Sequence, residues 1–152
     1  MGDDLHYKTI LELATEIKSG ALSPVALTEA MLARIEAIDG RLKSYATVMA
    51  EAAMAEARAA EAEINQGRYR GHLHGIPIAV KDLCFTTGVR TMGGLAVLAN
   101  HVPDYDATVV ARFRDAGAVM LGKLNLTEGA MAGYNPAFDV PENPWREGHW
   151  SG

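Results

Sequence analysis

Two short apolar runs flank one helical pattern, and this order limits the possible folds more than any other feature of the sequence. The run 76–80 follows a glycine, and the run 118–121 precedes a Gly-Lys pair. Apolar runs of this length, bounded by glycine, are typical of buried strands. Between them, residues 106–117 carry apolar side chains at helical spacing and end on a glycine. Strand, helix and strand in this order predict two parallel strands of an α/β fold.

The first 70 residues predict mainly helices. Apolar stripes indicate helices at Thr9–Lys18, from Pro24 to a stop at Gly40, and at Met49–Gln66, while Tyr45–Val48 favours a short strand. These helical patterns outnumber the strands that they could cover. We therefore expect the chain to be the first part of a larger α/β domain.

The composition excludes several classes of protein. A chain of 152 residues fits one domain, and 49% hydrophobic with 22% charged residues is typical of a soluble globular protein. The net charge of −5 argues against a general nucleic-acid binder. No apolar run reaches the roughly 18 residues of a membrane span, and the acidic N-terminus does not resemble a secretory signal. With Cys84 as the single cysteine, we expect a cytoplasmic protein without an intramolecular disulfide.

The sequence predicts neither a metal site nor a bound cofactor. His72 and His74 form a close pair, but two histidines with no third ligand nearby are more often polar surface residues. Gly122-Lys123 after a strand is similar to the end of a phosphate-binding loop. Leu124 stands where that loop needs a serine or threonine, so nucleotide binding is not expected.

Lys81 places an ammonium group at the end of an apolar strand. Lysine is rarely fully buried unless another group pairs with it, and burial can lower the pKa of a lysine. A lysine that is neutral near pH 7 accepts protons. This residue therefore points to an enzyme.

Two further patterns have structural interpretations. Glu128 follows Asn125 by the three residues of a helix capping box, with Asn in place of Ser or Thr. The glycine-rich stretch 91–94 would let the backbone closely approach a ligand or another segment.

The run 75–82 (GIPIAVKD) resembles the strand that bears the catalytic lysine in the amidase signature family. Residues 106–110 (DATVV), 117–125 (GAVMLGKLN) and 143–145 (NPW) also resemble motifs of that family, and they occur in its order. The resemblance implies one amidase signature domain, with 1–70 as a helical lead-in and 71–152 as the start of its catalytic α/β core. The expected fold is a mixed, largely parallel central sheet with helices on both faces.

That family hydrolyses amides with a Ser–cis-Ser–Lys triad, and the resemblance assigns the base to Lys81 and a supporting polar role to Asp82. The lysine would take a proton from a bridging serine, which activates the nucleophilic serine for acyl-enzyme formation. Both serines are expected beyond the stretch after 143–145. Ser151 falls just before the bridging serine and receives no catalytic role. We therefore expect this chain to be inactive without the remainder of the domain.

Residues 127–135 resemble the family segment that lines the acyl pocket, which implies that Ala130 and Met131 face substrate. Core packing explains Met131 equally well. Small residues in this segment leave room for a bulky acyl or aryl group on a small amide, ester or carbamate. The segment is about two residues shorter than its counterpart in glutamyl-tRNA amidotransferases and is similar to that of stand-alone amidases.

Two alternatives stay open. The first is the amidase component of a tRNA-dependent amidotransferase, which would need partner subunits. The second is a non-catalytic helical binding module in which Lys81 forms a structural ion pair with Asp82. A homodimer is compatible with each of these interpretations, and neither nucleic acid nor a membrane is an expected partner.

Overall fold

Local capping signals determine where the first helix lies. The computed structural model of the protein, which describes residues 5–131 and 133–151, places helix α1 at Ile10–Ser19. The Thr9 side chain accepts a hydrogen bond from the Glu12 N–H, and the Glu12 carboxylate accepts one from the Thr9 N–H. Gly20 ends the helix in the left-handed conformation, with φ of 78°. The predicted first helix is confirmed.

Helix α2 spans Pro24–Leu42 and passes through Gly40, where the sequence predicted a stop. Glycine inside a helix costs only about 1 kcal/mol, so other contacts can outweigh it. Here the Asp39 carboxylate accepts hydrogen bonds from the N–H groups of Ser44 and Tyr45, which organises the chain just after the helix. Helix α3 follows, and its buried face consists of alanines, which allow close packing. It spans Ala50–Asn65.

A three-stranded sheet contains all the strands of the described chain. Its order is β1-β3-β2, with β1 antiparallel to β3. Short 3₁₀ turns complete the regular structure. The remaining elements are β1 at Tyr45–Val48, β2 at Pro77–Lys81, α4 at Thr108–Asp115 and β3 at Val119–Leu124.

Strands β2 and β3 run in the same direction on either side of α4. The Val119 N–H donates to the Ile76 carbonyl near the start of both strands, and the Asp82 N–H donates to the Leu124 carbonyl at their ends. The predicted strand-helix-strand unit is therefore confirmed. Strand β3 is longer than predicted because Gly122 lets the backbone of β1 approach closely. A Cβ there would lie 2.2 Å from the Thr47 carbonyl oxygen.

The described chain forms two compact units, each built from separate stretches of sequence. Unit 1 has an apolar core that α1 and α2 share with the residue before β2, and its buried members are Leu13, Ala14, Ile17, Leu27 and Ile76. Unit 1 holds the described residues up to Ile35, with Met49–Ile78 and Arg112–Leu121. Unit 2 holds Glu36–Val48, Ala79–Ala111 and the described residues from Gly122 onward.

Unit 2 buries polar side chains to an unusual degree. Its fully buried side chains include a lysine and an aspartate, which are rarely buried unless paired. The buried polar residues of this unit are Asp82, Thr86, Thr91, Lys123 and Asn125. Among the described residues, no helix has the length and apolar character needed to cross a membrane.

Candidate active site

Lys81 lies at the exposed end of β2. Successive side chains of a strand point to opposite faces. Val80 and Asp82 are both buried, and Lys81 between them projects from the other face into solvent. The interpretation of this run as a buried strand is therefore wrong at Lys81, which is exposed, and residues 77–79 before it are only partly buried.

The Lys81 ammonium is nevertheless anchored. Its Nζ donates to the Asn125 carbonyl oxygen at 3.3 Å. Asn125 is 8% exposed, and its side-chain amide donates to the carbonyls of Lys43 and Asp139 at 3.1 and 3.0 Å. The Asn125 N–H also donates to the Ser44 carbonyl. A residue fixed at both its backbone and its side chain thus orients the acceptor for Lys81.

Asp82 pairs with Lys123 and not with Lys81. Its Oδ1 lies 3.2 Å from the Lys123 Nζ, and the two side chains are 1% and 0% exposed. Its Oδ2 accepts a hydrogen bond from the Met92 N–H at 2.9 Å. Asp82 therefore contacts the loop that follows β2 and the buried Lys123, and the structural ion pair between Lys81 and Asp82 is wrong.

Lys123 is a buried residue of unit 2 to which the sequence analysis assigned no functional role, because nucleotide binding at Gly122-Lys123 was not expected. Its Nζ donates to the Thr91 hydroxyl oxygen at 2.6 Å, and that hydroxyl donates to the Val89 carbonyl. Burial lowers the pKa of the Lys123 ammonium, and the nearby Asp82 carboxylate opposes that shift. Its burial could have been suspected from the apolar residues on either side of it in β3. The glycine before it, however, led the sequence analysis to end the strand at residue 121.

Residues 129–131, in the segment predicted to line the acyl pocket, are exposed and are held by a hydrogen bond to the loop 91–94. Met131 is 92% exposed, so its interpretation as a core residue is wrong within the described chain. Ala130 is also exposed and has a left-handed backbone, with φ of 58°. The Gly129 N–H donates to the Gly93 carbonyl at 2.8 Å. A short turn therefore presents both predicted substrate residues on a surface of unit 2.

The glycine-rich stretch 91–94 approaches this turn as the sequence suggested. A Cβ on Gly94 would lie 3.0 Å from the Thr127 carbonyl oxygen and 3.1 Å from that of Leu126. The neighbour is thus another segment of the chain. The capping box at Asn125 and Glu128 is wrong, because Asn125 continues from a strand and Glu128 instead accepts a hydrogen bond from the Asn135 side chain.

His74 is buried in unit 1, contrary to its prediction as a surface residue. His74 lies in a turn, where its N–H donates to the Gly71 carbonyl at 3.0 Å, while His72 is exposed. Its Nδ1 accepts a hydrogen bond from the Arg70 N–H, and its Nε2 lies 3.4 Å from a Glu63 carboxylate oxygen. Burial lowers the pKa of this imidazole. No group of three or more metal-ligating side chains occurs in residues 5–131 and 133–151.

Comparison with known proteins identifies the family of the chain. The family model for Amidase matches residues 26–152, which is most of the chain. The chain belongs to the amidase family. The resemblance inferred from the sequence motifs is therefore confirmed, and so is the amidase signature fold.

Relatives within the amidase family carry two kinds of names. The chain is 51% identical over 150 residues to a Mycobacterium tuberculosis protein named "Putative amidase AmiD", covering 99% of this chain and 32% of that protein. It is 46% identical over 144 residues to a component of the glutamyl-tRNA(Gln) amidotransferase of Moorella thermoacetica, covering 93% of this chain and 30% of that protein. The chain thus spans about a third of the length of these relatives.

Among solved structures, the native peptide amidase from Stenotrophomonas maltophilia superimposes with a TM-score of 0.75 at 40% identity. The match covers 80% of this chain and 25% of that enzyme. The described part of this chain therefore has the architecture of the corresponding part of an amidase.

Proposed function

We propose that the full-length protein hydrolyses C–N bonds of small amides through an acyl-enzyme, with Lys81 as the general base. The observation that carries this proposal is the position of Lys81 in a family member. Its ammonium is exposed at the end of a sheet strand and anchored on the Asn125 carbonyl. Family membership supplies the reaction class.

The surroundings of Lys81 suit a proton acceptor. Among residues 5–131 and 133–151, no carboxylate pairs with it, because the adjacent Asp82 is occupied by Lys123. As the base, Lys81 must act as the neutral amine, because an ammonium has no lone pair to accept a proton. In the proposed mechanism Lys81 removes a proton from a bridging serine, which removes one from the nucleophilic serine as that oxygen attacks the carbonyl carbon. The amine leaves with a proton, and water then releases the acid.

The proposal places both serines outside these 152 residues, in the remainder of the same domain. The relatives' greater length supports such a remainder. Residues 1–70 and 71–152 would then be the lead-in and the start of one catalytic domain. We expect the isolated chain to be inactive and the full-length protein to act in the cytoplasm, as a monomer or a homodimer.

Ala130 and Met131 are proposed to contact the acyl or aryl part of the substrate. Their exposure on a supported turn of unit 2 supports this role, as does the small size of the residues around them. Esters and carbamates present the same electrophilic carbonyl to the nucleophile. We therefore extend the substrate class to aryl esters and urethanes.

The first experiment measures hydrolysis of a simple anilide by the full-length protein and its Lys81→Ala variant. Loss of a general base is expected to reduce kcat/KM by about 10²–10⁴-fold. Lys8→Ala is the matched control, because Lys8 is a lysine paired with Glu16 at the surface of unit 1. Activity retained in Lys81→Ala would overturn the assignment of the base.

A second experiment tests the covalent intermediate. Hydroxylamine competes with water for an acyl-enzyme, so the proposal expects the same hydroxamate to accumulate from the anilide and from the aryl ester of one carboxylic acid. The partition between acid and hydroxamate should be the same for every leaving group that yields the same acyl-enzyme. A partition that depends on the leaving group would exclude a shared intermediate.

The amidase component of a tRNA-dependent amidotransferase is a second candidate, favoured by the 46% identity to the Moorella protein. It predicts that the purified full-length protein needs partner subunits before it releases ammonia from an amide. Hydrolysis of free amides by the protein alone would exclude that requirement.

The non-catalytic binding module is weaker. It is consistent with an exposed Lys81 but not with the pairing of Asp82. Equal anilide hydrolysis by the wild type and Lys81→Ala, at the background level of buffer, would favour it.

A further inference from the structure

Asp82, the residue directly after Lys81, is held by hydrogen bonds of its backbone and of its Oδ2, while its Oδ1 is held by an ion pair. Its N–H donates to the Leu124 carbonyl at 2.9 Å, and its carbonyl accepts from the Gly93 N–H at 3.0 Å. Its carboxylate accepts from the Met92 N–H and pairs with Lys123. The end of β2 is therefore held to β3 and to the loop 91–94 at once.

Lys123 is the cation that makes this arrangement electrostatically acceptable. A buried carboxylate without a partner is strongly unfavourable. The Lys123 Nζ lies 3.2 Å from the Asp82 Oδ1 and 2.6 Å from the Thr91 hydroxyl, and all three side chains are at most 1% exposed. The ammonium of Lys123 in β3 thus contacts both the first and the last residue of the segment 82–91.

The loop that Lys123 holds also supports the predicted substrate segment. Gly93 accepts a hydrogen bond from the Gly129 N–H, and Gly94 packs against the backbone at 126–128 at distances of 3.0–3.2 Å. Ala130 and Met131 follow directly. Lys123 therefore contacts Asp82, which directly follows Lys81 in the chain. It also contacts Thr91, in the loop that is hydrogen-bonded to the substrate segment.

We propose that Lys123, with Thr91, is a positioning residue that fixes the Lys81 base relative to the substrate segment at Ala130 and Met131. It does not contact the substrate. This inference rests on the proposed function, because it assigns Lys123 a role in the reaction for which Lys81 is the base. Misplacing a catalytic group by about 1 Å can cost about 100-fold in rate, so such a residue has a measurable kinetic effect.

The test compares two buried threonines of unit 2 in the full-length protein. Thr86 and Thr91 are 0% and 1% exposed, and each hydroxyl donates to the carbonyl two residues earlier. Only the Thr91 hydroxyl also accepts a hydrogen bond from Lys123. Thr91→Val should lower kcat/KM for the anilide by about 10- to 100-fold. Thr86→Val should leave it within about twofold of the wild type, and Thr91→Ser should restore most of the loss.

Three readouts separate positioning from a purely structural role. The loss in Thr91→Val should appear in kcat at temperatures where both valine variants are folded by circular dichroism. It should also change the ratio of kcat/KM between short and bulky acyl groups. In the Lys81→Ala background, Thr91→Val should cost much less than in the wild type, since its effect acts through Lys81.

Lys123→Met removes the ammonium itself. Under conditions where this variant is folded by circular dichroism, it should show the same loss of kcat as Thr91→Val. Wild-type kcat/KM in Thr91→Val, or an equal loss in Thr86→Val, would overturn the positioning role. This failure differs from that of the proposed function, which would show as activity retained in Lys81→Ala. If Lys81→Ala is inactive and Thr91→Val is unchanged, the base assignment stands and the positioning role falls.

Discussion

Each unit of the molecule contains a charge pair beside a buried polar residue, but the two pairs differ in their exposure to water. In unit 1, Arg70 and Glu63 form an ion pair next to His74, with side chains 40% and 24% exposed. In unit 2, Lys123 and Asp82 pair next to Thr91, with side chains 0% and 1% exposed. The same kinds of charge thus stand in two different dielectric settings.

The pair of unit 1 has the better hydrogen-bond geometry. The Arg70 guanidinium donates twice, from Nε and Nη2, to the two carboxylate oxygens of Glu63 at 2.8 and 2.6 Å. The hydrogen bond from Arg70 lowers the pKa of Glu63. Because water screens both groups, breaking this pair is expected to cost less than breaking a buried pair.

The pair of unit 2 is expected to be more costly to break, because water does not reach either side chain. Its net contribution to stability need not be large, since both ions lost their hydration on burial. Removing one partner, however, leaves a buried charge that nothing compensates. The exposed pair of unit 1 has the better hydrogen-bond geometry, but the buried pair of unit 2 is expected to cost more to break. The quality of the hydrogen bonds therefore does not predict the stability that is lost when a partner is removed.

Lys123→Met is expected to have the largest effect on stability. Breaking a buried pair costs about 3–5 kcal/mol of unfolding free energy, measurable by urea unfolding of the full-length protein. The double variant Asp82→Leu/Lys123→Met should recover much of this loss, because it removes both charges. An additive double variant would show that the pair is not the cause.

Gly117→Ala probes the packing around His74 and should come second. A Cβ on Gly117 would lie 2.3 Å from the His74 Cδ2, and the residue has φ of 75°. Overpacking costs about 1–3 kcal/mol, and a left-handed alanine costs about 1–2 kcal/mol. Gly67→Ala is the control, since φ there is 80° with no atom within 4 Å of the new Cβ. Equal losses in both variants would mean that the His74 contact adds nothing.

Arg70→Gln should have a much smaller effect on stability than Lys123→Met, as expected for a solvent-screened pair. The loss should shrink further at high salt, because screening weakens exposed pairs. Urea unfolding at two ionic strengths measures both. A cost equal to that of Lys123→Met would contradict the distinction between the two units.

The smallest expected effect is a pH dependence of the unfolding free energy that is due to His74. Burial lowers its pKa from the ordinary value of 6.5, with the neighbouring Arg70 acting in the same direction and Glu63 opposing. As the pH falls below about 6.5, the unfolded chain therefore takes up a proton that the folded chain still resists, and stability decreases. His74→Gln should flatten this decrease between about pH 6.5 and about pH 4.5, above the range where Glu63 titrates. An unchanged slope would exclude His74 as its source.

Much of the fold could be predicted from local patterns. The apolar stripes, the apolar runs and the strand-helix-strand order are properties of neighbouring residues, and the structure confirms the elements that they predict. The end of α2 was predicted at Gly40, but the helix continues to Leu42. The Asp39 side chain accepts hydrogen bonds from the N–H groups of Ser44 and Tyr45, and the apolar pattern does not show this contact. Tertiary or medium-range contacts decided such boundaries.

The sequence by itself determined that this chain belongs with the amidases and that Lys81 is its candidate base, because motifs and their order are linear information. Only the tertiary structure decided which lysine is buried. Lys81 and Lys123 both follow apolar runs, but strand alternation and the neighbouring loop turn Lys81 to solvent and enclose Lys123 with Asp82 and Thr91. Burial and pairing depend on residues that are distant along the chain, so local patterns could not distinguish the two lysines.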